Sequence, residues 1–197
     1  MEVILVDGMS SDHTRDEIAA FQRDHSELPI QIIDNPERYI PAGLNHGICA
    51  AGGQILVRLD GHAVPTLEYI ERCVQDLDAG LGDNVGGVWE IHPARTGAIP
   101  RGIAAAASHP LGVGDARYRF TEQAQSVDTV PFFAIRRELI DRIGKFDESL
   151  LTNEDYEFNV RVRQSGGTVW LDPAIRSTYY SRPTLSALGR QYWRYAA

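Results

Sequence analysis

Val57-Arg58-Leu59-Asp60-Gly61-His62-Ala63 is an apolar strand that runs into an acid, a glycine and a histidine. An acid just past a buried strand stands where an open α/β sheet presents its ligand-binding groups. Asp60 and His62 also form a carboxylate–imidazole pair two residues apart, suited to a divalent cation, Mn²⁺ more than Mg²⁺ because imidazole is the softer donor. The same letters describe an ordinary Asp-Gly turn leading to Pro65, with His62 merely exposed. Two further segments bear on the choice: Val6-Asp7-Gly8-Met9-Ser10-Ser11-Asp12 and Asn153-Glu154-Asp155-Tyr156-Glu157.

Outward from this strand the first half alternates. Apolar runs at 3–6, 30–33, 54–59 and 85–91 read as buried strands. Between them, Ser11 or Asp12 caps a helix to about His25, and Pro41 opens one through Ala51 that Gly52-Gly53 ends. Pro65-Thr66 starts a third helix, to about Ala79. Such alternation predicts an α/β fold with a mostly parallel sheet and right-handed crossovers. The second half is less regular. It reads as a helix at 103–107, a glycine-bearing loop at 111–115, a strand at 127–134 and helices at 136–143 and 153–164. A strand at 168–171 and a last helix from Thr184 to about Tyr195 follow. There is no internal repeat, low-complexity run or linker, so residues 1–197 are read as one domain.

Bulk properties narrow the chemistry. With 197 residues and 43% hydrophobic content the chain can bury a real core. A net charge of −8 argues against a nucleic-acid partner. An anionic substrate then needs local help from a metal, an arginine or backbone amides. Cys49 and Cys73 both fall in helical patterns and read as small buried residues of a reducing compartment. No run of about 18 apolar residues marks a membrane span, and the expected location is cytoplasmic.

Asp7, at a strand end before small residues, can accept hydrogen bonds from a base edge or ribose hydroxyl; a turn residue beside a capping Asp12 is the plainer alternative. Glu154 and Asp155 open a helix, where acids suit the macrodipole. Being adjacent, they point in different directions, so one can serve the helix while the other faces a cleft as a general base. In the closing segment, Arg194 suits a diphosphate, and Trp193 and Tyr195 can stack on sugars or fill the core. Gly112-Val113-Gly114 follows no strand and is no dinucleotide loop, and no Gly-x-Ser-x-Gly elbow supports a serine hydrolase.

The order Val-Asp-Gly-x-Ser-x-Asp (6–12), Asp-x-His (60–62), Phe-Asp-Glu (146–148) with Asn-Glu-Asp (153–155), and Gln-x-x-Arg-Tyr (191–195) resembles family 2 glycosyltransferases of the GT-A fold. More narrowly it is similar to bacterial succinoglycan-type glucosyltransferases of exopolysaccharide synthesis. Val130-Pro131-Phe132, Arg136-Arg137-Glu138, Gly144-Lys145-Phe146-Asp147-Glu148 and the run from Ser108 to Gly114 share that likeness. The resemblance implies a Rossmann-like, helix-flanked sheet and inverting transfer of a hexose from a nucleotide diphosphate sugar, with Mn²⁺ or Mg²⁺. The acceptor would be a polysaccharide or lipid-linked glycan. Position by position it implies Asp7 at the nucleoside, Asp60 and His62 at the metal and diphosphate, Asp155 as base and Glu154 beside it. Gln191, Arg194 and Tyr195 would stand near the diphosphate and acceptor. His62 replaces the family's second acid, and Tyr195 its tryptophan.

Relatives usually open with a further strand carrying a Pro-x-Tyr-Asn-Glu-like turn, then a helix, and continue into membrane-associated segments. The chain is therefore expected to lack that first strand and helix, to be shortened at both ends, to have an incomplete nucleoside pocket and to transfer sugar weakly. Two other readings compete: an inactive relative that binds glycan or a partner enzyme, and a nucleotidyltransferase, whose glycine-rich basic loop is missing here.

Overall fold

A computed structural model describes the backbone of residues 1–196 and the side chains of residues 1–193. Its strands are β1 (Val3–Asp7), β2 (Ile30–Asp34), β3 (Ile55–Val57), β4 (Ala63–Pro65), β5 (Asn84–Pro93), β6 (Gln125–Ser126), β7 (Ala134–Arg136) and β8 (Val169–Ser181). Its helices are α1 (Thr14–Asp24), α2 (Ile40–Ala50), α3 (Tyr69–Asp78), α4 (Ala98–Ala107), α5 (Pro110–Val113), α6 (Arg137–Ile143), α7 (Glu154–Gln164) and α8 (Leu185–Ala196).

β1 and β2 are short β-branched runs that pair in parallel, Val3 opposite Ile30 and Asp7 opposite Asp34. Both strands thus end on an acid at the same edge. α1 carries Asp16 and Glu17 in its first turn and Arg23 in its last, as the macrodipole favours, yet buries no residue fully. α2 begins with Pro41 in its first turn and lays Gly43 and Gly47 against Val6 of β1. Arg137, at the start of α6, donates to the carbonyls of Gly53, Ile48 and Ala51, satisfying acceptors that the end of α2 leaves open.

The larger sheet runs β3-β7-β5-β8-β4, with β6 also on β8. Its centre is the parallel pair β5–β8, which shifts register between Gly86 and Val88. Gly87 sits at that irregularity, where a Cβ would lie 2.0 Å from the Ile175 carbonyl oxygen. β3–β7, β5–β7, β4–β8 and β6–β8 are antiparallel. The α/β class expected from alternation holds, with mixed strand polarity in place of a mostly parallel sheet. Helical crossovers impose parallel pairing, and the long irregular segment leading to β7 is no such crossover.

Several local expectations change, among them the helix read at 103–107, which starts at Ala98, and the loop read at 111–115, whose first residues belong to the short helix α5. Residues 63–65 form an edge strand opposite Ser177–Tyr179, and the helix after them starts only at Tyr69; an edge is where a strand tolerates Pro65. The run 127–134 is buried from Val130 onward, with Val130 at 0% and Phe133 at 6% exposure, while Asp128 is exposed, and it becomes strand only at Ala134. Phe132 there adopts φ 62°, which breaks an extended path. β8 extends to Ser181 instead of stopping near Leu171, passing through Pro173.

The main core stacks Phe146 on Phe158 with ring centroids 4.5 Å apart, beside Phe133, Val130, Ile135 and Leu171. A second cluster joins Tyr69, Cys73 and Leu77 of α3 to Val85, Ala134 and Ile175. Cys73 is buried as expected, whereas Cys49 is exposed, because α2 spends its buried face on Pro41, Ala42, Asn45 and Ile48. Among the described residues no helix is long and apolar enough to cross a membrane.

Candidate active site at the strand ends

β3 delivers Arg58 and Asp60 to one side of the extended chain, because side chains two apart along a strand share a face. The Arg58 amide donates to the Phe133 carbonyl (2.8 Å), which fixes the strand end, and the Ala63 amide donates to the Asp60 carbonyl (2.9 Å), which closes the turn. The Arg58 guanidinium grips Asp60 with two prongs, Nε to Oδ1 at 2.8 Å and Nη2 to Oδ2 at 3.2 Å. It also reaches Glu154 Oε1, with Nη2 at 3.4 Å. Arg58 and Glu154 side chains are each 7% exposed and Asp60 26%.

Glu154 comes from the first turn of α7. Asn153 precedes it in the left-handed conformation (φ 62°, ψ 22°), and Glu154, Asp155 and Glu157 follow as first-turn acids. Burial pushes the Glu154 carboxyl above its ordinary range, the Asp155 charge adds to this, and Arg58 opposes both. Burial also works against the Arg58 charge, but Asp60 first, then Glu154 and Asp155, hold it protonated. Asp155 is half-buried next to this cluster, and one of its carboxylate oxygens accepts the Tyr156 amide at 2.8 Å. Asp60, Glu154 and Asp155 are thus brought together from opposite halves of the chain.

Asp7 belongs to a second cluster. Its buried carboxylate accepts the Ser10 amide (3.2 Å), the Ser10 hydroxyl and Arg15 Nε (2.6 Å). Those bonds, the Ser10 hydroxyl foremost, hold it below the usual carboxylate range. Arg15 Nη2 also binds Asp34 at the end of β2. Asp12 accepts the Thr14 amide and hydroxyl in a turn just ahead of α1, and His13 instead of Ser11 or Asp12 takes the N-cap position.

His62 is exposed, its ring edge-on to Tyr179 at 5.9 Å. Gln191 of α8 accepts a hydrogen bond from Arg182 Nε at 3.0 Å. Trp193 is 78% exposed, so it is not a core residue. The side chains of Arg194 and Tyr195 lie outside the described residues.

Arg58 and Arg15 are the residues that reading the sequence missed. The signal for Arg58 was present: a charge at the inner end of an apolar strand, two residues from an acid, must find a partner when buried.

Asp60 and His62 supply one carboxylate and one imidazole, and among the described residues no group of three or more His, Cys, Asp or Glu is placed to hold a metal. Each Asp60 oxygen already accepts one Arg58 N–H and keeps further lone-pair capacity. This donor set fits a cation that takes its remaining ligands from phosphate oxygens and water, and does not make an all-protein cage.

Comparison with known proteins decides the family. Residues 1–144 match the model of Glycosyl transferase family 2. The chain belongs to this family. Among its family 2 relatives, it is 31% identical over 196 residues to the succinoglycan biosynthesis protein ExoA of Rhizobium meliloti, covering 98% of this chain and 58% of that protein. The fold is that of a mannosyltransferase from Pyrobaculum calidifontis, crystallised with GDP-Man and Mn²⁺, at TM-score 0.72 and 19% identity over 99% of this chain and 51% of the other. GalNAc-T7, crystallised with UDP, GalNAc and Mn²⁺, superposes at TM-score 0.68 and 19% identity over 96% of this chain and 41% of that one. These neighbours are GT-A glycosyltransferases, so the GT-A expectation is met. The family 2 chain thus spans under two thirds of the length of each of these proteins.

Proposed function

We propose that residues 1–197 form one domain of an inverting glycosyltransferase, which moves a hexose from a nucleotide diphosphate sugar to a polysaccharide or lipid-linked acceptor. The observation that carries this reading is the joining of Asp60, at the end of β3, to the first turn of α7 through Arg58, with Asp155 beside the cluster. A diphosphate anchor and a candidate base then share one edge of the sheet, where open α/β sheets bind ligands. The polysaccharide acceptor is favoured by the likeness to a succinoglycan biosynthesis protein.

In this mechanism Asp155 takes the proton of the acceptor hydroxyl as its oxygen attacks the anomeric carbon. The bond to the leaving diphosphate breaks on the opposite face, and a single displacement inverts the centre. Asp7 orients the nucleoside, and the Gln191-x-x-Arg194-Tyr195 motif is assigned to the diphosphate and acceptor by its likeness to the family pattern. A Mn²⁺ or Mg²⁺ ion held by Asp60 and His62 would, when bound, offset charge on the diphosphate. Arg58 and the first turn of α7 supply fixed charge and dipoles already in place.

Asp155→Asn tests the assignment. Turnover is expected to fall about 100-fold or more, while Mn²⁺-dependent binding of UDP or GDP, followed by calorimetry, stays at the parent level. Unchanged turnover would refute the base role.

A further inference from the structure

In the mechanism above Arg58 supplies only fixed charge, yet its side chain is a deeply buried cation of the site. Its side chain is 7% exposed and its charge is shared between Asp60 and Glu154, the latter 96 residues away from it in sequence. A buried guanidinium is retained only when its desolvation is offset by close pairing. Here that pairing connects two elements with separate duties. One prong pair fixes the Asp60 carboxylate in a single orientation, since a planar fork on a carboxylate defines both position and plane. The third contact fixes Glu154. Glu154 is the first residue of α7, so the position of the next residue, Asp155, follows from it.

We propose that Arg58 is the positioning residue of the site: it sets the separation and orientation between the diphosphate anchor Asp60 and the base-bearing turn at Glu154–Asp155. It touches no reacting atom and acts through the two carboxylates. This role rests on the glycosyltransferase reading given above. Arg58 also ties the anchor strand to α7, far apart in sequence. A lysine at this position would keep the charge but reduce the fork to a single point contact, which cannot define the plane of Asp60.

The test compares the parent with Arg58→Lys, Arg58→Met, Glu154→Gln and the double variant Arg58→Met/Glu154→Gln. Thermal unfolding, Mn²⁺-dependent UDP and GDP binding by calorimetry, and transfer kinetics are recorded for each. Arg58→Lys is expected to stay folded and to lose about 10-fold or more in kcat, in line with a lost alignment, with KM for the donor within about threefold. Arg58→Met is expected to unfold at lower temperature. Glu154→Gln in the same chain should recover much of that loss, by removing the unpaired buried carboxylate, without recovering kcat. With the Glu154→Gln single variant as the reference for turnover, a merely structural arginine predicts the reverse: turnover returns to that reference along with stability in the double variant. That result, or parent-level kcat in Arg58→Lys, overturns the proposal alone. Failure of the parent to bind either nucleotide overturns the glycosyltransferase reading and the Arg58 role with it.

Discussion

The molecule builds the same device twice, one arginine shared between two carboxylates, and gives it opposite surroundings. At the β1–β2 ends, Arg15 joins Asp7 to Asp34, with Arg15 41% and Asp34 60% exposed. At the end of β3, Arg58 joins Asp60 to Glu154, with Arg58 and Glu154 at 7%. The first sits on a two-stranded sheet flanked by α1, which buries nothing completely. The second sits at the end of β3 in the six-stranded sheet, where the Arg58 amide donates to the Phe133 carbonyl. Water can replace the Asp34 contact of Arg15 with little loss, and Asp7, though 5% exposed, keeps its two Ser10 donors, whereas nothing replaces the partners of Arg58. Identical chemistry is therefore an adaptable surface network in one region and a rigid frame in the other.

That contrast predicts a ranking. Breaking the buried triad by Arg58→Met should cost about 3–5 kcal/mol of stability, measured by urea unfolding. Next comes Gly87→Ala, whose Cβ would strike the Ile175 carbonyl oxygen at 2.0 Å in the central strand pair. A loss of about 3 kcal/mol is expected there, and a neutral result would mean that β5 and β8 can part at this point.

Two carboxylates outside the buried triad should also respond to pH with opposite sign. On α3, burial, then the charge of Asp172, push the Asp76 carboxyl up to about 6 from an ordinary 3.8. The folded state holds that proton more tightly than the unfolded chain, so its contribution is present below about pH 4 and is lost as pH rises to about 6. Asp7 runs the other way. Its lowered value gives stability that is present above the ordinary carboxylate range and is lost as pH falls through the depressed folded value. Asp76→Asn should flatten the decline in the urea midpoint between about pH 4 and 6, and an unchanged slope would remove Asp76 from the account. The smallest effect belongs to Arg15→Met, at under about 1 kcal/mol. A loss as large as that of Arg58→Met would erase the distinction between the two networks.

Much of the first half was legible along the chain. β1, β2, α2 and β5 are dense apolar runs or carry proline and glycine punctuation, and such signals act locally. The errors fall where a neighbour outweighed the local pattern. Residues 127–134 are as apolar as a strand, but burial alone does not distinguish a strand from a packed irregular segment, and Phe132 turns the chain. β8 extends past Pro173 because β5 and β4 supply partners on both sides. The site divides in the same way. Asp60, Glu154 and Asp155 stand out by type and position, while Arg58 and Arg15 gain meaning only from what surrounds them.

By itself, the order of residues determined the α/β class, the family likeness and the acids at the strand and helix ends, because periodicity, capping and motif spacing are properties of nearby residues. Only the tertiary structure decided the mixed polarity of the sheet, the exposure of Cys49 and the partner of each acid. Those depend on which distant elements meet. The Asp60-Gly61-His62 turn shows the physical reason: its carboxylate is oriented by an arginine two residues away, and that arginine is held in place by a glutamate 96 residues further along.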